Sequence, residues 1–184
     1  MNNYELIILT GSKGVGKHTF LDNLVGKEER RRLISNYDGY NFVNFHVIKT
    51  KIDDQDTSIN FHIIPIDFQE KILNRNRYKR LFMNKKVPLI LLLMFDITKS
   101  TSLEDLLLLA NIIKDSIASS AKSIFLLGNK ADLIDKLFVN SEIISNAINY
   151  LKIKLDSDVT YFELNSLNKN EIKDFFTKKL MLFL

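Results

Sequence analysis

The 184 residues contain no cysteine. That excludes disulfides, a cysteine nucleophile, thiolate metal sites and a cysteine for C-terminal prenylation within these residues. Proline and glycine are scarce, at two and six residues. No Pro/Gly/Ser-rich linker or composition break divides the chain, so one domain over residues 1–184 is expected. Long apolar runs are missing too: the longest, Leu89 to Phe95, is far too short to span a bilayer. Met1-Asn2-Asn3-Tyr4-Glu5 lacks the basic start and apolar core of a signal peptide, so a cytoplasmic location is the expectation. Neither charge dominates, since 26 Lys+Arg against 22 Asp+Glu leave +4. Such a balance suits an acidic or phosphate-bearing ligand and calls for no nucleic-acid partner. What is abundant is apolar side chain, 46% of the total, enough for a sizeable core.

Strand-like and helix-like patterns alternate along the chain. Tyr4 to Thr10, Val87 to Phe95, Ser123 to Leu127 and Val159 to Leu164 are short, β-rich and largely apolar. Val87 to Phe95 reads as a central strand covered on both faces. Phe42 to Ile52 and Ser58 to Ile66 are strands joined by the polar turn Asp53-Asp54-Gln55-Asp56, so the pair is a hairpin and supplies an antiparallel edge strand. Helices are predicted over His18 to Val25, Gln69 to Met83, Thr101 to Ile117 and Asn140 to Leu151, with a last one capped by Asn168 and Glu171. Thr101, with Glu104 three residues on, is the predicted cap of the third. Its apolar stripe is Leu103, Leu106, Leu107, Ala110, Ile113 and Ile117, with Leu108 and Ile112 on the other side. Ile143, Ile144, Ala147 and Leu151 form the buried face of the fourth, and Ile172, Phe175, Phe176 and Leu180 that of the last. His46 and His62 alternate with apolar strand residues and are expected on an exposed strand face. This alternation predicts a three-layer α/β domain with a mostly parallel sheet.

Gly11-Ser12-Lys13-Gly14-Val15-Gly16-Lys17 lies between an apolar strand and a helix and matches the first seven positions of the phosphate-binding P-loop. Glycines let the backbone turn its N–H groups inward, and the helix adds its positive end. Lys17 would reach the β- and γ-phosphates. The phosphate-binding residues are therefore Ser12, Lys13, Gly14, Val15, Gly16, Lys17, His18 and Thr19. The eighth position normally carries a Ser or Thr that ligates Mg²⁺, and here it is His18. Imidazole suits a hard, oxygen-seeking cation poorly. Thr19 is displaced by about 100° around the helix, and is the remaining candidate for a metal ligand. Two readings of His18 stay open: a tolerated substitution, or an imidazolium that adds charge beside the phosphates.

Gly128-Asn129-Lys130-Ala131-Asp132 directly follows the strand Ser123 to Leu127. A carboxylate at Asp132 can accept from both the N1–H and the 2-amino group of guanine, a pair that adenine does not offer.

Together, the P-loop and the string Leu-Leu-Gly-Asn-Lys-Ala-Asp-Leu resemble the Ras superfamily of small GTPases, and Phe95-Asp96-Ile97-Thr98-Lys99-Ser100-Thr101-Ser102-Leu103-Glu104 most resembles its Rab-type members. The resemblance covers essentially the whole chain. It implies a G-domain fold with a six-stranded, mostly parallel sheet and one antiparallel edge strand. It implies GTP and GDP as ligands, with Mg²⁺ weakly held, and a guanine site at Asn129, Lys130, Asp132, Ser166 and Leu167. The last two come from Asn165-Ser166-Leu167, which stands where the family usually has Ser-Ala-Lys; the family uses the middle residue's N–H on the guanine carbonyl, and the loop's lysine is absent. A protein effector and a role in membrane traffic or signalling, peripheral to endomembranes, follow from the same likeness.

Against the family pattern, the γ-phosphate sensors are altered. Aligning Phe61-His62-Ile63-Ile64 puts Pro65 at the magnesium aspartate and Phe68 at the switch glycine, leaving Gln69 as the catalytic-type glutamine. The six glycines are Gly11, Gly14, Gly16, Gly26, Gly39 and Gly128, so no register supplies a switch glycine. No threonine lies between Thr19 and Thr50 for the first switch. Lys13 would project toward the γ-phosphate and obstruct a water-positioning group. Since phosphoryl transfer depends on positioning and metal neutralisation, hydrolysis is expected to be slow or absent. A non-hydrolysing scaffold is the alternative, and a P-loop kinase is disfavoured by the guanine motif. The clusters Lys27 to Arg32 and Arg75 to Arg80 read as solvated surface or a docking patch. The apolar end Leu180 to Leu184 either packs back on the domain or continues beyond it.

Overall fold

The computed structural model describes residues 4–25, 33–34, 44–52, 55–66, 89–117, 121–136 and 138–183. The strands are β1 (Tyr4–Ser12), β2 (Leu33–Ile34), β3 (Asn44–Ile52), β4 (Gln55–Ile66), β5 (Leu89–Asp96), β6 (Ala121–Asn129) and β7 (Val159–Leu164). The helices are α1 (Lys17–Val25), α2 (Ser100–Ile117), α3 (Ser141–Leu155) and α4 (Lys169–Lys178), with 3₁₀ turns at Ala131–Lys136 and Leu180–Phe183.

The strands form one sheet in the order β2-β3-β4-β1-β5-β6-β7. The five strands from β4 to β7 in that order are parallel, and β3 runs antiparallel to β4. The mostly parallel sheet with its antiparallel hairpin is thus as expected. Outside β3, however, Leu33 and Ile34 pair with Phe45 and Asn44, so β3 is not the edge and the sheet has seven strands rather than six. Two residues are too few to leave a periodic signal. The β3–β4 ladder runs up to the pair Ile52–Gln55, so β4 begins three residues before the predicted start at Ser58. Polar Gln55, Asp56 and Thr57 hide a strand whose partners are all on one side at that end.

β1 shows why the central strands are apolar throughout. Leu6 and Ile8 pack with α2 and α3, whereas Ile7 and Leu9 pack with α1 and α4. Side chains alternate across a strand, so a strand covered on both faces needs both registers apolar. On one face lie Leu103, Leu106, Leu109, Ala110 and Ile113 of α2 beside Ile144, Ala147, Leu151 and Leu155 of α3. On the other lie Phe20 and Leu21 of α1 and Ile172, Phe175 and Phe176 of α4. Phe183 meets Phe125 edge to face at 5.0 Å, so the apolar end folds back on the sheet.

Three local expectations are corrected. α2 begins at Ser100, not after Thr101, because Ser102 Oγ bonds Lys99 O at 2.8 Å and accepts the Asp96 N–H at 2.9 Å, pulling the first turn one residue earlier. Ile143 belongs to the first turn of α3 and is exposed, while Leu155 takes the fourth buried place on that face. His62 is half-buried within β4 rather than on an open face. The predicted cap of the last helix is present, with Asn168 Oδ1 accepting from Asn170 N and Glu171 N, and Asn140, predicted as the first residue of its helix, is instead its cap, with Oδ1 accepting from Ile143 N. The predicted helix Gln69 to Met83, together with Gln69 itself, lies outside the described residues. Among the described residues no helix is long and apolar enough to cross a membrane.

Candidate functional site

β1 ends at Ser12 and α1 starts at Lys17, so residues 13–16 make the whole turn. Gly14 and Gly16 sit at φ +84° and +106°, where a side chain is strained. A Cβ on Gly16 would also collide with Asn129 Nδ2. Val15 points into the core and anchors the loop from below. Lys17 is buried, and its ammonium donates to Gly11 O at 2.6 Å and Ser12 O at 2.7 Å. Burial lowers its pKa to about 8. Lys13, Gly14 and His18 are exposed; Thr19 is half-buried.

The second half of the site is the end of β6. Asn129 is 2% exposed, and its carboxamide joins three loops. Nδ2 donates to Val15 O at 2.6 Å, while Oδ1 accepts from Ser166 N at 2.9 Å and Ser166 Oγ at 2.7 Å. The Ser166 N–H, which the resemblance assigns to the guanine carbonyl, is therefore given to Asn129. Lys130 adopts φ +70°, and its ammonium pairs with Asp96 Oδ2 at 2.5 Å. Asp96 Oδ1 accepts from Thr98 N and Oγ1 at 3.0 and 2.6 Å. Burial alone would raise the Asp96 pKa, but the bonds from Lys130 and Thr98 outweigh it and hold the carboxyl below its ordinary range.

These pieces enclose an open cleft of about 190 Å³. Gly14, Gly16 and Thr19 line it from the phosphate loop; Asn129, Lys130, Asp132 and Leu133 from the loop after β6; and Asn165, Ser166 and Leu167 from the loop after β7. Asp132 is exposed at the start of the 3₁₀ turn, and Leu167 is 73% exposed on the opposite lip. Of the predicted phosphate residues, Gly14, Gly16 and Thr19 thus share one opening with all five predicted base residues, although they come from three separate segments. Ser12, Lys13, Val15, Lys17 and His18 belong to the loop without facing the cleft.

Two partners escaped the sequence reading. Asp96 lies in the Rab-like string, but nothing local marks it as the counter-ion of Lys130. Asp105 on α2 accepts the Ser12 hydroxyl at 2.5 Å, across 93 residues of chain. Among the described residues no group of three His, Asp or Glu side chains converges as a metal site. Mg²⁺ needs few protein ligands when phosphates and water supply the rest. Thr19 brings a hydroxyl to the cleft, whereas Pro65, in register with Gly11 near the end of β4, has no side-chain oxygen.

The family model described as the Ras family matches residues 6–182. A comparison with curated proteins gives no match. Because the family match spans nearly the whole chain, the protein belongs to the Ras family of small GTPases.

Proposed function

We propose that the chain is a single, Rab-like G domain that binds GDP and GTP selectively and hydrolyses GTP slowly or not at all. The observation that carries this reading is the Asn129 carboxamide, which ties the phosphate loop at Val15 to the base loop at Ser166. That tie sets the two halves of a nucleotide site at one spacing before ligand arrives, so less ordering entropy is lost on binding. Asp132 would take the guanine edge, Lys130 and Leu167 would flank the base, and Lys17 with the amides of residues 14–19 would take the phosphates. Thr19 would contribute one oxygen to Mg²⁺; when bound, the cation would screen the phosphate charge. With His18 and Pro65 at the usual metal positions, nucleotide affinity should depend only weakly on Mg²⁺. The same substitutions favour a scaffold, in which nucleotide is mainly structural, over a conventional effector switch in membrane traffic. Cytoplasmic protein with at most peripheral membrane contact is the setting we infer.

Affinities for GDP, ADP and XDP, with Mg²⁺ and with chelator, test the reading. The wild type should prefer GDP, and Asp132→Asn should shift preference toward XDP, since xanthine carries a carbonyl where guanine has an amino group. Equal affinity for ADP and GDP would refute the base site. Single-turnover GTP hydrolysis at the rate of an ordinary GTPase would refute the altered-switch reading.

A further inference from the structure

We infer that Asp105 is a specificity residue that makes the phosphate site favour nucleoside diphosphate over triphosphate. The inference rests on the nucleotide-binding reading above and extends it to the choice between the two ligands. Its starting point is the Ser12 residue, held at both ends. Its carbonyl accepts from Lys17 Nζ at 2.7 Å, and its hydroxyl donates to Asp105 Oδ2 at 2.5 Å. Lys17 is the P-loop lysine, whose ammonium marks the β/γ end of a bound polyphosphate. The Asp105 carboxylate is therefore two hydrogen bonds from that marker, joined through one residue. Asn129 and Asp132, assigned to the base, line the cleft, whereas Ser12 and Lys17 do not.

Asp105 is a half-buried residue on α2, a helix that packs against β1 and β5. It is consequently fixed relative to the loop, and the short Ser12 bond holds its carboxylate against the loop residue whose carbonyl takes the Lys17 ammonium. Lys17 and Lys13 attract any phosphate chain. Asp105 has the opposite sign, so each further negative charge at the β/γ end is less welcome than the last. Charges several ångströms apart near a protein surface can shift an equilibrium by roughly tenfold. The γ-phosphate is the group that brings the additional charge. Pro65, which pairs with Gly11 near the end of β4, has no carboxylate to hold a cation that would screen the repulsion.

The test compares dissociation constants for GDP and for guanylyl imidodiphosphate, each with excess Mg²⁺ and with chelator. Wild-type protein should bind GDP more tightly than the triphosphate analogue. Asp105→Asn keeps an oxygen to accept from Ser12 but removes the charge. It should close the gap by roughly tenfold, chiefly through tighter binding of the analogue, and less so in high salt. If that variant does not fold, Asp105→Thr retains a neutral acceptor and carries the same expectation. Equal changes for both nucleotides, or an unchanged ratio in a folded variant, would overturn the assignment of Asp105 while leaving nucleotide binding intact. Failure of the wild type to bind either nucleotide would overturn both.

Discussion

Replacing Asn129 by alanine should cost the protein more stability than most polar substitutions, and the reason is geometric. The side chain is 2% exposed and makes three hydrogen bonds, at 2.6, 2.9 and 2.7 Å, to groups on two other loops. Alanine removes them and leaves the Val15 carbonyl, the Ser166 amide and the Ser166 hydroxyl without their partner. A buried group stranded in this way costs about 1–3 kcal/mol. The hydroxyl can rotate to another acceptor and the cleft admits water to half-buried Gly16, so the sum is reduced to roughly 2–4 kcal/mol. For a protein of this size each kcal/mol lowers Tm by about 2–4 °C, which gives a fall of roughly 4–16 °C. Urea denaturation of the nucleotide-free protein measures it directly. Asn129→Asp sharpens the test. It keeps an acceptor for Ser166 but loses the donor to Val15 O and buries a charge. Protonation restores a donor, so its deficit should shrink as pH falls toward the ordinary aspartate range, ~4. A loss below about 1 kcal/mol for Asn129→Ala, or an Asn129→Asp deficit that grows on acidification, would refute the proposed bridge.

Four other outcomes follow from particular residues. Because burial lowers the Lys17 pKa to about 8, GDP affinity should be flat below that pH and fall above it, with proton uptake on binding seen by calorimetry in buffers of different ionisation heat. An unfolded lysine keeps its proton to ~10.4, so stability of the unliganded protein should rise with pH between about 8 and that value. Gly128→Ala should destabilise by about 1–3 kcal/mol, since its Cβ would lie 2.6 Å from Tyr161 Oη and 2.8 Å from Ile97 Cγ2. Adding Tyr161→Phe should recover part of the loss in a double-mutant cycle, and strict additivity would contradict the clash. Asp96→Asn should lower stability by about 1 kcal/mol, because Lys130 is partly exposed and water replaces some of the pairing; a Tm unchanged at low salt would count against that ion pair.

Much of the candidate site is legible in the sequence alone. The P-loop spacing demands glycine at positive φ, and Gly14 and Gly16 adopt it. The base loop followed an apolar strand and stayed at its end, at Asn129. Alternation of apolar runs predicted the layers because each run's period reports which faces are covered. These signals are local: a backbone conformation or a repeat within a dozen residues suffices to write them. The sequence alone did not reveal β2, whose two residues have no period, or the exposure of Ile143, which depends on how α3 lies against the sheet.

Contacts between segments were decided by the tertiary structure alone. Asn129 was identified from its motif, but its bond to Val15 spans 114 residues and exists because the parallel order β1-β5-β6 brings two strand ends to the same edge. The same order puts α2 beside the phosphate loop and so gives Ser12 its carboxylate, a pairing 93 residues apart that no spacing rule encodes. Local patterns fix which backbone shapes and faces each segment can take. Which carboxylate meets which hydroxyl depends on the packing of whole strands and helices, because burial of the two apolar faces of the sheet selects the strand order, and only that order places the side chains.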